Sequence, residues 1–215
     1  MKTIAVFGGT GGLGKQLVPL LEQKYNVIPL GSKDLDITFF RDVKFFIECN
    51  PNIDIILNLS GVKHDNFLSK ISNEDMKKIN KMVDVNIKGN INILASCLPQ
   101  MIENGYGRII GISSVFSELN VPKNSIYCAS KAFMDRLYSN ANKENVKFGI
   151  TCNTIQLGYW DGGMAYRVED KYIEMAKDKI GLKRFGTAEE LYNTINFIVD
   201  NEYVCGTNLR IDGGL

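Results

Sequence analysis

The chain has 215 residues, 45% of them hydrophobic and 23% charged, with 25 Lys and Arg against 24 Asp and Glu. That length fits one domain able to bury a core without disulfides or structural metal, and the balanced charge supplies no basic field for nucleic acid or an anionic membrane. Five scattered cysteines (Cys49, Cys97, Cys128, Cys152, Cys205) form no CxxC pair, which argues against a disulfide framework or a zinc site and for a reducing, cytoplasmic setting.

The apolar start, Met1 to Phe7, is too short for a signal h-region. No later run approaches the ~18 residues of a membrane span, so a soluble protein is expected. In chain order, the pattern predicts a strand at Ile4–Phe7, then a helix over Gly12–Gln23 with Leu13, Leu17, Leu20 and Leu21 on one face. A strand at Val27–Leu30 and a helix at Phe39–Cys49 follow, the latter carrying Phe39, Val43, Phe46 and Ile47. Next come strand Ile53–Leu59, helix Asp75–Met101, strand Arg108–Ser113, helix Ile126–Lys143 and strand Gly149–Ile155. Helices Lys171–Ile180 and Ala188–Asp200 precede a last strand at Asn208–Ile211. Several strands are apolar almost throughout, as strands covered on both faces are. Strand–helix alternation at this spacing predicts an α/β, doubly wound Rossmann-type domain over residues 1–215. Its parallel sheet should have about seven strands and right-handed crossovers.

The first strand runs into Gly8-Gly9-Thr10-Gly11-Gly12-Leu13-Gly14 and then straight into a helix. Glycines there take positive φ, let backbone approach a pyrophosphate, and let the helix pack on the strand, while the helix N-terminus offers N–H groups to phosphate. A tight turn alone also collects glycines for steric reasons; the position after strand one is what points to a nucleotide. A magnesium-binding P-loop is excluded, because Gly14-Lys15 is followed by Gln16 rather than a hydroxyl residue.

Tyr127 and Lys131 stand at i and i+4, on one face of a predicted helix. A phenol has an ordinary pKa near ~10, and a neighbouring ammonium lowers it toward the working range. Thirteen residues before Tyr127, Ser114 ends a predicted strand, where doubly wound folds bind ligands. Its hydroxyl can donate to a developing oxyanion. Taken singly, the Tyr/Lys pair reads as surface neighbours and the Ser pair as a turn; order and spacing together point to chemistry.

With these motifs the chain resembles the short-chain dehydrogenase/reductase family over nearly its whole length. The similarity is to the compact single-domain branch, in particular 3-oxoacyl-carrier-protein reductases. Gly8-x-x-x-Gly12-x-Gly14 matches the family's cofactor turn, and Asn58-Leu59-Ser60-Gly61 stands where the family has Asn-Asn-Ala-Gly. Asn86, Ser114, Tyr127 and Lys131 match its four catalytic members. Arg184–Glu190 and Gly206–Gly214 follow the family pattern as well. The resemblance implies that Tyr127 is the general acid in carbonyl reduction, and that Lys131 lowers its pKa and holds the nicotinamide ribose. It further implies that Ser114 orients the carbonyl, that Asn86 anchors a water chain from Lys131, and that no metal takes part. It implies cofactor contacts from Gly8, Thr10, Gly11, Gly12, Leu13 and Gly14, from Asp36 and Ile37, from Asn58, Leu59, Ser60 and Gly61, and from Tyr127 and Lys131. Gly158 and Trp160 are expected near the nicotinamide amide. In Leu157–Met164, Leu157 replaces the family's Pro and Gly162 its Thr, which puts loop rigidity in question. Phe7 replaces a common Thr, and the connections around the second and third strands are abbreviated.

The second strand ends Pro29-Leu30-Gly31-Ser32-Lys33, without the acid that binds adenosine ribose in NAD enzymes. Ser32 and Lys33 can instead hold a 2′-phosphate, so NADP(H) is preferred over NAD(H); the alternative is that Lys33 is a solvated loop charge. His64, the single histidine, reads as a solvent-facing loop residue with no metal or triad partner, the alternative being that it lines the substrate side. Tyr159, Trp160, Met164 and Tyr166 form an apolar loop that closes over substrate, or that packs or joins subunits. The expected activity is a ketoreductase acting on a small or carrier-bound keto compound, as a cytoplasmic homodimer or homotetramer. Two other readings stand beside it: a non-catalytic nucleotide-binding sensor or subunit, and a sugar-nucleotide epimerase or dehydratase. The intact tetrad argues against the first, and the lack of a longer C-terminal substrate region against the second.

Overall fold

A computed structural model describes residues 1–162 and 170–215; Met164 and Tyr166 lie outside the described residues. The elements are, in order, β1 (Thr3–Phe7), α1 (Gly12–Leu21), β2 (Asn26–Leu30), α2 (Phe40–Cys49), β3 (Ile55–Asn58), α3 (Asn73–Val83), α4 (Gly89–Asn104) and β4 (Gly107–Ser114). The remainder is α5 (Ser125–Asn145), β5 (Ile150–Leu157), α6 (Asp170–Lys179), α7 (Ala188–Asp200) and β6 (Asn208–Ile211). Every strand pairs in parallel, in the order β2-β1-β3-β4-β5-β6.

Alternation along each strand divides the core between two faces. Ala5, Phe7, Ile56 and Ile109 point to the side covered by α2, α4 and α5, with Val43, Ile93, Met134 and Tyr138. Ile4, Val6, Ile55, Leu57, Ile110 and Ile155 point to the other, against Leu17 and Leu21 of α1 and Leu191 and Ile195 of α7. Burial on both faces is why these strands are nearly uniform in apolar character.

Among the described residues the sheet has six strands, where about seven were expected. From Gly31 the chain closes a turn in which Asp34 N and Leu35 N both donate to Gly31 O, then enters α2 without forming another strand. That leaves β2 at the sheet edge, where Pro29 is tolerated because a missing N–H costs no ladder bond.

The expected helix over Asp75–Met101 is divided. A capping box between Ser72 and Asp75 starts α3. A π-helical turn at Asp84–Lys88 then separates it from α4. The wider turn rotates the residues after it and brings Asn86 into the interior, 2% exposed. Gly89 comes next because a Cβ there would meet the Ile37 side chain at 2.5 Å. Strand ends shift too: β3 is shorter than expected, and β5 runs on to Leu157, which faces Ser114 on β4 and Ile211 on β6. Phe7, Asn58 and Ser114 thereby reach the same carboxyl edge, where the neighbours of β1 on its two sides belong to opposite directions of winding.

Candidate active site

The glycine turn is shaped by close approach. Gly8 has φ +82°, and a Cβ on it would lie 3.0 Å from the backbone of Leu59 and Ser60, so the turn after β3 presses against the turn after β1. A Cβ on Gly14 would meet the Gly9 carbonyl carbon at 2.5 Å and Gly8 O at 2.6 Å; α1 sits on the turn only because side chain is absent. Gly8 N and Gly9 N both donate to Leu30 O, at 2.8 and 2.9 Å, tying the turn to β2. No side chain caps α1 at Gly11, and Gly11 and Gly12 are exposed, so the first-turn N–H groups of α1 face outward for phosphate oxygens. This cradle fits a dinucleotide pyrophosphate. Thr10 is exposed beside it, while Leu13 is half-buried against the core.

Beside the cradle, Asn58 is fully buried. It donates to Asn90 Oδ1 at 2.9 Å and accepts from Ser60 N at 2.9 Å. Tyr138 also donates to Asn90 Oδ1, at 3.0 Å, and Asn90 Nδ2 donates to the Asn86 carbonyl at 2.7 Å. A buried amide chain thus links the end of β3 to the π turn. The Asn86 side chain grips Val62 twice, accepting from its N–H at 2.9 Å and donating to its carbonyl at 2.8 Å. It also donates to Ser130 Oγ at 3.2 Å. Gly61 lies where Lys131 Nζ and Asn86 Oδ1 converge, 3.6 and 3.7 Å from the position a Cβ would take.

On α5, Tyr127 and Lys131 are 6% and 5% exposed, and Ser114 at the end of β4 is 9% exposed. The helical spacing and the β4 terminus therefore meet inside the protein. Lys131 donates to the Ile112 carbonyl at 2.7 Å, and its Nζ lies 5.8 Å from the Tyr127 ring centroid. Burial drives both groups toward neutrality. It pushes the Tyr127 phenol up to about 12, against a hydrogen bond with Ser114 that acts the other way. It pushes Lys131 down to about 8, against the attraction of Asp135. Desolvation is the largest influence on the phenol, and the nearby Cys128 and Asp65 act in the same direction.

A family model described as enoyl-(acyl carrier protein) reductase matches residues 41–215. The chain belongs to the short-chain dehydrogenase/reductase family. The 3-oxoacyl-(acyl-carrier-protein) reductase FabG of Rickettsia felis is 28% identical over 235 residues, covering 100% of this chain and 96% of the relative. The same enzyme of Staphylococcus epidermidis is 26% identical over 243 residues, covering 100% and 98%. Among solved structures, ElxO with NADP bound superposes with a TM-score of 0.86 at 22% identity, covering 99% of this chain and 97% of that one. The chain is an NAD(P)-dependent short-chain oxidoreductase of the kind these reductases represent.

As a short-chain reductase, it departs from the family pattern after β5 in ways the structure explains. Leu157 keeps the N–H a proline would lack, so β5 stays paired on both sides to its end. The loop is then held by a bridge between Trp160 and Gly186, with Asp161 N donating to Gly186 O at 2.9 Å and Gly186 N to Tyr159 O at 3.1 Å. Gly158 packs on Asp212, and Trp160 is buried in the core. Gly162, at the family's Thr position, lies on the first turn of α1, its carbonyl 2.5 Å from where a Gly12 Cβ would stand.

The remaining expected cofactor residues divide. Ser32, Lys33 and Asp36 are exposed after β2. Ile37 is 7% exposed and packs in the core, and its carbonyl accepts from Asn92 at 2.8 Å. Sequence reasoning saw no acid at the end of β2, but Asp34 Oδ2 folds back to accept from Gly31 N at 2.8 Å, beside Thr10. Asp135 was also missed. Buried at 6%, it accepts from Thr154 Oγ1 at 2.7 Å and Gln156 Nε2 at 2.8 Å. Its signal was the series Tyr127, Lys131, Asp135 at successive helical turns. His64 does have a partner: its Nε2 is 2.6 Å from Asp75 Oδ1, which fastens the loop after β3 to α3.

Proposed function

We propose that this chain is an NADPH-dependent ketoreductase in which Tyr127 protonates the carbonyl oxygen of a small or carrier-bound keto compound. The observation that carries the reading is the burial of Ser114, Tyr127 and Lys131 together at the carboxyl edge of the sheet, next to the glycine cradle. The glycine turn would hold the pyrophosphate, Lys131 the nicotinamide ribose, and Asn58 to Gly61 the adjoining wall. The bound cofactor supplies the hydride. Tyr127, protonated at neutral pH, would give its proton to the carbonyl oxygen as hydride arrives. Ser114 accepts from Phe116 N at 3.2 Å, which leaves its own proton for the substrate oxygen or the phenol. Lys131, fixed by the Ile112 carbonyl, is an oriented cation against the negative charge that develops there. Asn86 holds the Val62 loop against this group and anchors the route for proton resupply.

Ser32 and Lys33 would take the 2′-phosphate, consistent with the NADP named for ElxO. A second reading, preference for the unphosphorylated cofactor, has one observation in its favour: the Asp34 carboxylate stands at the end of β2 beside Thr10. The names of the FabG relatives support an acyl-carrier-bound keto substrate; a cytoplasmic setting and a homo-oligomer belong to the same reading, with β6 at the sheet edge among the described residues as the surface for pairing.

Tyr127→Phe tests the mechanism. Turnover of keto substrates should vanish while NADPH binding, followed by nucleotide fluorescence, persists; a fully active variant would sink it. Titration with NADPH, NADP, NADH and NAD decides between the two cofactor readings.

A further inference from the structure

One charged pair at the mouth of the site has no part in the chemistry described. Lys63 projects from the loop after β3, its side chain 27% exposed, and its Nζ lies 5.8 Å from the Tyr127 ring centroid and 5.6 Å from that of Phe116. Residues on both sides hold it there. Val62 is gripped twice by Asn86, His64 is paired with Asp75, and Asn66 N donates to the Lys123 carbonyl at 2.9 Å. Phe116 meets Tyr127 and Tyr159 edge-on, and Tyr159 stacks on Phe185. The wall next to Tyr127 is therefore aromatic, and Lys63 is the cation that reaches it from the loop after β3.

That cation is paired with Asp65, at 2.9 Å, whose side chain is 44% exposed. An exposed pair of this kind is nearly neutral in free energy, so a better-placed anion exchanges with it readily. Asp65 also faces the aromatic wall: its negative charge contributes to the raised pKa of both Tyr127 and Tyr159.

We infer that Lys63 is a specificity determinant which receives a carboxylate carried by the keto substrate close to its carbonyl, displacing Asp65. The inference rests on the ketoreductase reading and narrows it. Lys63 is within the length of a short keto acid of Tyr127. The phosphate of a pantetheine-type carrier arm, separated from its thioester by a long chain, would lie well beyond it.

The test compares kcat/KM for 3-oxobutanoate and for its ethyl ester, in the wild type, Lys63→Met and Lys63→Arg. The acid-to-ester ratio should fall about tenfold in Lys63→Met, as loss of one charge-assisted contact implies, and recover in Lys63→Arg. Asp65→Asn should raise the ratio. A ratio unchanged by Lys63→Met would overturn the inference. So would a loss confined to the phosphopantetheine thioester relative to its N-acetylcysteamine counterpart, which would hand Lys63 to a carrier phosphate. Binding is read independently through the single tryptophan, Trp160, by titrating 3-hydroxybutanoate and its ethyl ester. If the wild type turns over no keto compound, the ketoreductase reading fails, and selective loss of 3-hydroxybutanoate binding in Lys63→Met would still uphold the carboxylate subsite. Equal binding in both proteins would remove it.

Discussion

Replacing Lys131 with Met should make the protein more stable while removing its activity. Burial lowers the Lys131 pKa from an ordinary 10.5 to about 8, so holding the ammonium inside at neutral pH costs about 3 kcal/mol. The attraction of Asp135 is already contained in that figure, because it helps to set the value of about 8. Met fills a similar volume without charge but leaves the Ile112 carbonyl without the 2.7 Å bond from Nζ, a loss of about 1–2 kcal/mol. A net gain of about 1–2 kcal/mol remains, or a rise in Tm of roughly 2–8 °C for a domain of this size. The depressed pKa sets the sign of the pH dependence. Between about 8 and 10.5 the unfolded chain binds the extra proton, so wild-type stability rises with pH across that window. The advantage of Lys131→Met is therefore full below pH 8, shrinks as pH rises, and gives way above about 10.5 to a deficit of about 1–2 kcal/mol from the lost Ile112 bond. Thermal unfolding of both proteins from about pH 7 to 10 measures it. A variant that melts at or below the wild type at neutral pH, or an advantage that does not shrink with pH, would refute the burial argument. Such an exchange of stability for function is common at active sites.

Gly14→Ala would place a Cβ within 2.6 Å of backbone atoms of Gly8 and Gly9. It should cost about 1–3 kcal/mol of overpacking, less up to about 1 kcal/mol of helix propensity, and weaken NADPH binding. Gly11→Ala, with Gly8 O 3.2 Å from the added Cβ, should cost less than Gly14→Ala in thermal melts. Glu190 caps α7 and is held down to about 2, first by its hydrogen bonds from Arg184 and then by the Thr187 backbone. Glu190→Gln keeps the cap but loses the charge of a pair that is 50% and 41% exposed. The loss should be at most about 1 kcal/mol. Because the pKa is depressed, that difference is present above the ordinary carboxylate range and disappears as pH falls toward about 2. Acid titration by circular dichroism should show the two proteins converging.

Local pattern determined much of this protein. Apolar runs such as Ile55–Asn58 became strands because both faces of a parallel sheet are covered, and Leu17 and Leu21 fell on the buried side of α1 because helical periodicity is itself local. The glycine turn was legible since close approach leaves glycine as the residue that fits, and Tyr127 and Lys131 were legible since four residues make about one helical turn. The protonation of the same pair was not. It depends on how much protein covers them, which is a sum over residues distant in sequence, and burial is what raises the Tyr127 pKa and lowers that of Lys131. The π turn that carries Asn86 inward hides within an otherwise helical pattern, because one extra residue leaves composition unchanged. The missing strand beyond β2 came from a turn closed by Asp34, and the approach of Lys63 to Tyr127 from anchors on α3, the π turn and Lys123. Spacing along the chain shows which groups a helix or turn can bring together. Only tertiary packing decides what lies against them, and with it their charge.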